Sequence, residues 1–180
     1  QSFSSLSVLQ KLINSAKMTD NRLMVLPLLE KNAIKNYKEK DELISNLRDI
    51  SQLLLCNKVK LALETELRAG QLINLLKKVD CRNIGVLYDI GNCTSYGFNC
   101  PKDLLALADY ILEIHIKDRK LGSDKSVFLG KGDADFTGCF QVLKKMDFQG
   151  TIVLQAYRGN DYLNDAYVQL QFVRRLLQGV

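Results

Sequence analysis

Four polar side chains close four successive apolar runs in this chain of 180 residues, and their types suit a metal ion. Glu64 ends "VKLALE", Asp89 ends "IGVLYD", His115 ends "YILEIH" and Gln155 ends "GTIVLQ", at separations of 25, 26 and 40 residues. Each interval has room for one strand-to-strand crossover. In a parallel sheet the four therefore gather at one edge, the carboxyl ends of the strands. Two carboxylates, one imidazole and one amide oxygen make a ligand set for manganese, magnesium, cobalt or zinc, and do not choose among them. His115 is the only histidine in the sequence. A lone histidine at a strand end is often just a half-exposed residue bonded to a carbonyl. Four such ends on consecutive strands favour the metal reading.

Further polar residues cluster near these ends. Lys117 has the strand parity of His115, which points it toward the same pocket. Arg119 and Arg158 each stand just past a strand end, where they could hold a phosphate or a hydroxyl; surface solvation is the alternative for both. Asp118 is a candidate to orient His115 through its second ring nitrogen, or simply to pair with Arg119. Asn92 follows Asp89 by three residues and could line the pocket or cap a turn. In "LGKGDADF" (129–136), Gly130 and Gly132 flank Lys131, giving a candidate phosphate cradle, and Asp135 is placed to cap the next helix. Glu113 and Lys60 lie lower on their strands and read as an interior ion pair.

The elements that would position these residues follow from apolar spacing. Helices are predicted over 5–18, 40–55, 69–79, 101–109, 136–146 and 164–178. Strands are predicted over 22–29, 59–65, 84–89, 110–116 and 150–157. In the first helix the stripe is Leu6, Leu9, Leu12 and Ile13. A helix followed by five strand–helix units argues for an α/β fold with a parallel sheet, either doubly wound or part of a β/α barrel. No G-x-G-x-x-G follows the first strand, so a dinucleotide site has little support.

Composition bounds the rest. Apolar residues make up 47% and charged residues 25%, and the net charge is +5. These values fit one globular domain over 1–180. The basic residues are scattered, so no nucleic-acid face is expected, and no apolar run is long enough for a membrane span. The start "QSFSSLSVLQKL" does not read as a secretory signal; lacking an initiator Met, it suggests a piece of something longer. Five cysteines with no C-x-x-C pair fit free thiols in a reducing, cytoplasmic setting.

"LALET", "YDIGN", "IHIKDR", "LGKGDADF" and "GTIVLQAYR", in this order, resemble the xylose isomerase-like TIM-barrel superfamily, in particular its sugar-phosphate isomerase/epimerase branch. The resemblance implies a parallel β/α barrel of TIM type. With five strand–helix units the barrel is incomplete and corresponds to its C-terminal portion. It further implies one divalent cation held by Glu64, Asp89, His115 and position 155. Glu64 and Lys117 become the candidates for catalysis, and Asn92, Arg119 and Arg158 those for binding substrate. The implied activity is isomerisation or epimerisation of a sugar or sugar phosphate through an enediolate. Alternatives are a metal-assisted dehydratase of a keto-inositol-like substrate, or a truncated barrel module without catalysis, in which a homo-oligomer could complete the sheet. Position 155 departs from the family's usual glutamate: an amide oxygen can ligate but cannot act as a base. The multi-histidine, three-zinc arrangement of the DNA-repair members cannot be built with one histidine.

Overall fold

A computed structural model describes residues 6–179. The contacts divide it into two compact units, the first ending at Val86 and the second starting at Leu87.

The first unit opens with helix α1 (Leu6–Met18) and strand β1 (Leu23–Leu28), followed by a short 3-10 turn at Glu30–Asn32. In α1, Ile13 is fully buried while Leu12 is half exposed, and the side chains of Leu6 and Leu9 lie outside the described residues. Helix α2 (Tyr37–Asn57) starts where the Asn36 side chain accepts the Glu39 N–H at 3.0 Å, an N-cap. It buries Leu43, Ile44, Leu47, Ile50 and Leu54, spaced by three and four, and ends at Lys58 in the left-handed region (φ 55°). Strand β2 (Lys60–Thr65), helix α3 (Ala69–Val79) and strand β3 (Ile84–Asp89) follow.

The strands are parallel in the order β1-β2-β3, with Leu23 opposite Lys60 and Leu61 opposite Ile84. Pro27 is tolerated because β1 ends this order, where a missing N–H costs no ladder bond on the open side. The Asn83 amide donates to the carbonyls of Leu54 (3.3 Å) and Val59 (2.9 Å), fastening the end of α2 to the start of β2.

The second unit begins with the last residues of β3. It continues through helices α4 (Ile90–Ser95) and α5 (Cys100–Ala106), a 3-10 turn at Ala108–Tyr110 and strand β4 (Ile111–Ile116). Strands β5 (Asp118–Arg119) and β6 (Ser126–Val127) form a two-residue antiparallel pair. Helix α6 (Phe136–Lys145), strand β7 (Thr151–Leu154) and helix α7 (Tyr162–Gly179) close the chain. The strand order here is β3-β4-β7, with β4 and β7 parallel and Glu113 opposite Thr151. The five parallel strands and their helices are those expected, and α4 and the β5–β6 pair are additions. Strand β7 stops at Leu154, three residues short of the expected 157, although the Gln155 N–H still reaches the Ile116 carbonyl at 3.1 Å. Among the described residues no helix is long and apolar enough to cross a membrane.

Candidate functional site

Strand β3, "IGVLYD", is buried along its whole length and delivers Asp89 to its end with 2% of its surface exposed. Helix α4 starts at the next residue, so Asp89 is also its N-cap: Oδ1 accepts the Asn92 N–H at 2.8 Å. The other oxygen, Oδ2, lies 2.9 Å from Lys117 Nζ and 3.9 Å from His115 Nδ1. Glycine at 91 permits this close start, because a Cβ there would sit 2.8 Å from the Lys117 carbonyl oxygen.

Strand β4 presents Glu113 and His115 on one face, two residues apart. His115 Nε2 lies 2.9 Å from Glu113 Oε1, a hydrogen bond within one strand. Lys117 continues the same parity just past the strand; it is 8% exposed, and its ammonium also lies 3.4 Å from Asn92 Oδ1. Two carboxylates, one ammonium and one imidazole thus share a buried spot, where unmatched charge is costly.

Two atoms there lack a hydrogen bond: Asp89 Oδ2 and His115 Nδ1. Oδ2 is nevertheless ion-paired with the Lys117 ammonium at 2.9 Å, so His115 Nδ1 is the one of the two without a close partner. Buried polar atoms are seldom left this way, each orphan costing about 1–3 kcal/mol. Nδ1 and Oδ2 face each other 3.9 Å apart, and two electron-pair donors so placed suit a cation, with the Lys117 ammonium already beside Oδ2.

The remaining candidates are placed as follows. Glu64 is the penultimate residue of β2, half buried, in the first unit. Asn92 meets Lys117 through its side chain, as a pocket residue would, whereas its N–H is the group that Asp89 caps, so it is not itself the cap. Arg119 lies in β5, half buried, and its Nε has no hydrogen-bond partner. Gln155 and Arg158 are exposed and line one cleft of about 310 Å³ with Tyr157 and Gln169.

Three expectations are corrected. Asp118 does not orient His115. It falls on the opposite parity, is fully buried, and its carboxylate accepts the N–H groups of Gly130 (2.8 Å), Gly132 (2.9 Å) and Ala134 (3.3 Å). For the same reason "LGKGDADF" is no phosphate cradle, since its inward N–H groups are taken by the chain's own carboxylate; Asp135 does cap α6, accepting the Gly138 N–H at 2.8 Å. Lys60 is exposed, and the partner of Glu113 is His115. The pairing of Glu113 with His115 was the functional contact missed, and its only sequence signal was a carboxylate two residues before the histidine.

On the other face of β3, Tyr88 meets a group of thiols. Its phenol lies 3.5 Å from Asp103, and burial pushes it well above the ordinary tyrosine range. Burial likewise raises the Cys93 thiol. Cys100 and Cys139 share a hydrogen bond that lowers Cys100 to about 7 and raises Cys139. All five cysteines are free thiols.

Comparison with known proteins bears on this arrangement. The family model described as "Xylose isomerase-like TIM barrel" matches residues 4–176. An L-ribulose-5-phosphate 3-epimerase, UlaE, from Salmonella paratyphi A is 33% identical over 69 residues, which are 38% of this chain and 24% of that protein. A xylose isomerase domain protein from Planctomyces limnophilus superposes with a TM-score of 0.83 at 19% identity, over 97% of this chain and 66% of that one. The IOLI protein, solved with a bound zinc atom, superposes with a TM-score of 0.75 at 20% identity, over 95% of this chain and 66% of that one. The chain thus spans about two thirds of these solved structures, and its match to the epimerase about a quarter of that protein.

Proposed function

The chain belongs to the xylose isomerase-like TIM-barrel family, and from that premise we propose that it forms part of a metal-dependent isomerase or epimerase of a sugar or sugar phosphate. The observation that carries the reading is the partnerless His115 Nδ1 facing the buried carboxylate oxygen Asp89 Oδ2, 3.9 Å away at strand ends. Asp89 and His115 have the donor make-up to hold an ion, Gln155 could add an amide oxygen, and the family resemblance implies Glu64 as a further ligand. The likeness to an epimerase of L-ribulose 5-phosphate and to a protein that binds zinc supports both the substrate class and the metal.

A divalent cation bound there supplies Lewis-acid polarisation of a carbonyl and its neighbouring hydroxyl. The chain's own residues do the rest. Glu64 is the carboxylate to take the proton from the carbon beside the carbonyl. Lys117, held as an ammonium against Asp89 and Asn92, is placed to oppose negative charge that develops on substrate oxygen. Asn92 fixes Lys117, and Arg119 and Arg158 are the cations to meet a phosphate. Gln155 carries no basic group, so proton transfer by two matched carboxylates is disfavoured and a single-base route is favoured. The same residue supports the second reading, a barrel module that binds metal without catalysis.

Calorimetric titration with manganese tests the site. His115→Ala is expected to weaken binding at least tenfold, about 1.4 kcal/mol or more; equal affinity in the two proteins would remove the centre. Incubating the metal-loaded protein with a ketopentose phosphate in heavy water separates the readings. Deuterium entering the carbon beside the carbonyl supports isomerase or epimerase chemistry, a dehydrated diketone or enol product supports the dehydratase, and neither supports the module.

A further inference from the structure

Glu113 is a carboxylate with 9% of its surface exposed, one pleat below His115, and proton transfer gives it no work. A buried carboxylate is retained only where it is paired. Its partner is His115 Nε2 at 2.9 Å. A carboxylate oxygen only accepts, so Nε2 must carry the proton; two lone pairs at that distance would repel. Nδ1 is then left with two options. A second proton on it would need an acceptor, yet Nδ1 has no hydrogen-bond partner and Asp89 Oδ2, at 3.9 Å, is too far for one. A bare lone pair on Nδ1 agrees with its lack of any partner.

We propose that Glu113 is a positioning residue that locks His115 in the Nε2-protonated form, fixes its ring plane, and so makes Nδ1 the atom that binds the cation. The assignment of the binding atom rests on the metal reading above, whereas the hydrogen bond does not. Loss of a carboxylate partner behind a ligating imidazole typically weakens metal affinity 10- to 100-fold. Asp118, three residues after the histidine, is committed to the 130–134 loop and cannot take this role.

With one histidine in the chain, its ring signals can be read without assignment. In nitrogen-15-labelled, metal-free wild type, an Nε2-bound ring proton protected from exchange is expected. It should disappear in Glu113→Ala and Glu113→Gln, with amide spectra showing that both remain folded. On adding zinc to wild type, the Nδ1 resonance should move while the Nε2 proton persists. Zinc affinity should fall 10- to 100-fold in Glu113→Gln, which keeps the side-chain volume, and stay near wild type in Asp118→Asn. A zinc-induced shift at Nε2, an absent ring proton in wild type, or undiminished zinc affinity in both Glu113 variants would overturn the proposal. Wild type with the protected proton but no zinc response would overturn the metal reading and the Nδ1 assignment, while the Glu113 hydrogen bond would stand.

Discussion

Asp118 has no exposed surface and spends both carboxylate oxygens on three backbone N–H groups from one loop. That loop also returns through Asp133, whose N–H reaches the Arg119 carbonyl at 2.9 Å and whose carboxylate accepts the Leu121 N–H at 2.8 Å. Asp118 therefore ties the approach to α6 to β5, two residues past the strand that carries His115. Hydrogen bonds to a charged group contribute about 1.5–3 kcal/mol each and are not additive, and orphaned N–H groups add their desolvation cost. Asp118→Ala is expected to lower unfolding free energy by about 3 kcal/mol in a urea titration, and Asp118→Asn by less, because one carbonyl oxygen can still accept. A loss below about 1 kcal/mol for the alanine variant would mean that water replaces the carboxylate without penalty.

Helix α4 is the element on which the site depends and the one that the sequence pattern hid. "IGNCTS" offers glycine, asparagine, threonine and serine with no three-four apolar stripe, so propensity points to a loop; every residue of it is nevertheless buried. Tertiary surroundings and the Asp89 cap make it a helix. By contrast, α3 and β3 were read to the residue, because "QLINLLKKV" and "IGVLYD" carry unbroken apolar spacing. The site divides along the same line. Asp89 and His115 were legible because a polar residue ending an apolar strand announces its position. The Glu113 contact was not, since parity gives a face but not a partner. Gln155 was read as a strand end, yet β7 stops before it and leaves it exposed.

Gly91→Ala tests the element directly. Propensity alone would make it stabilising by about 0.5–1 kcal/mol. The added Cβ would meet the Lys117 carbonyl oxygen at 2.8 Å and its carbon at 2.9 Å, backbone that cannot rotate aside. Overpacking of this kind costs about 1–3 kcal/mol. The variant is expected to melt lower and to bind manganese more weakly, because Asp89 lies two residues away. A rise in melting temperature would show that α4 is not pinned.

At the scale of the molecule, the net charge of +5 and the two compact units say little about pH, but the buried acids of the second unit say more. Tyr88, Cys93 and Cys139 are all held in their protonated forms, Tyr88 and Cys93 chiefly by burial and Cys139 first by its bond to Cys100. A group whose proton is held more tightly in the folded state contributes stability that is fully present below its unfolded pKa. That contribution is lost as pH rises, at about 1.4 kcal/mol per pH unit per group. For the thiols the loss begins near pH 9, and for the phenol near 10, the unperturbed values. Cys100 runs the other way: lowered to about 7, its contribution grows between 7 and 9 and stays at its full, constant value above that. The two trends meet near pH 9, so stability should hold up to that point and then fall steeply, by about 3 kcal/mol per unit while both thiols contribute. Set against a domain stability of about 5–15 kcal/mol, about two to five pH units at that slope suffice to unfold the unit. Urea titrations with a reductant at pH 8, 9, 10 and 10.5 would trace this curve. Cys93→Ala should flatten the alkaline limb by about 1.4 kcal/mol per pH unit despite its own cavity cost, since a slope and an offset are separately measured. A limb equally steep in wild type and variant would mean that the Cys93 thiol ionises as readily in the folded chain as in the unfolded one, and that burial does not hold its proton.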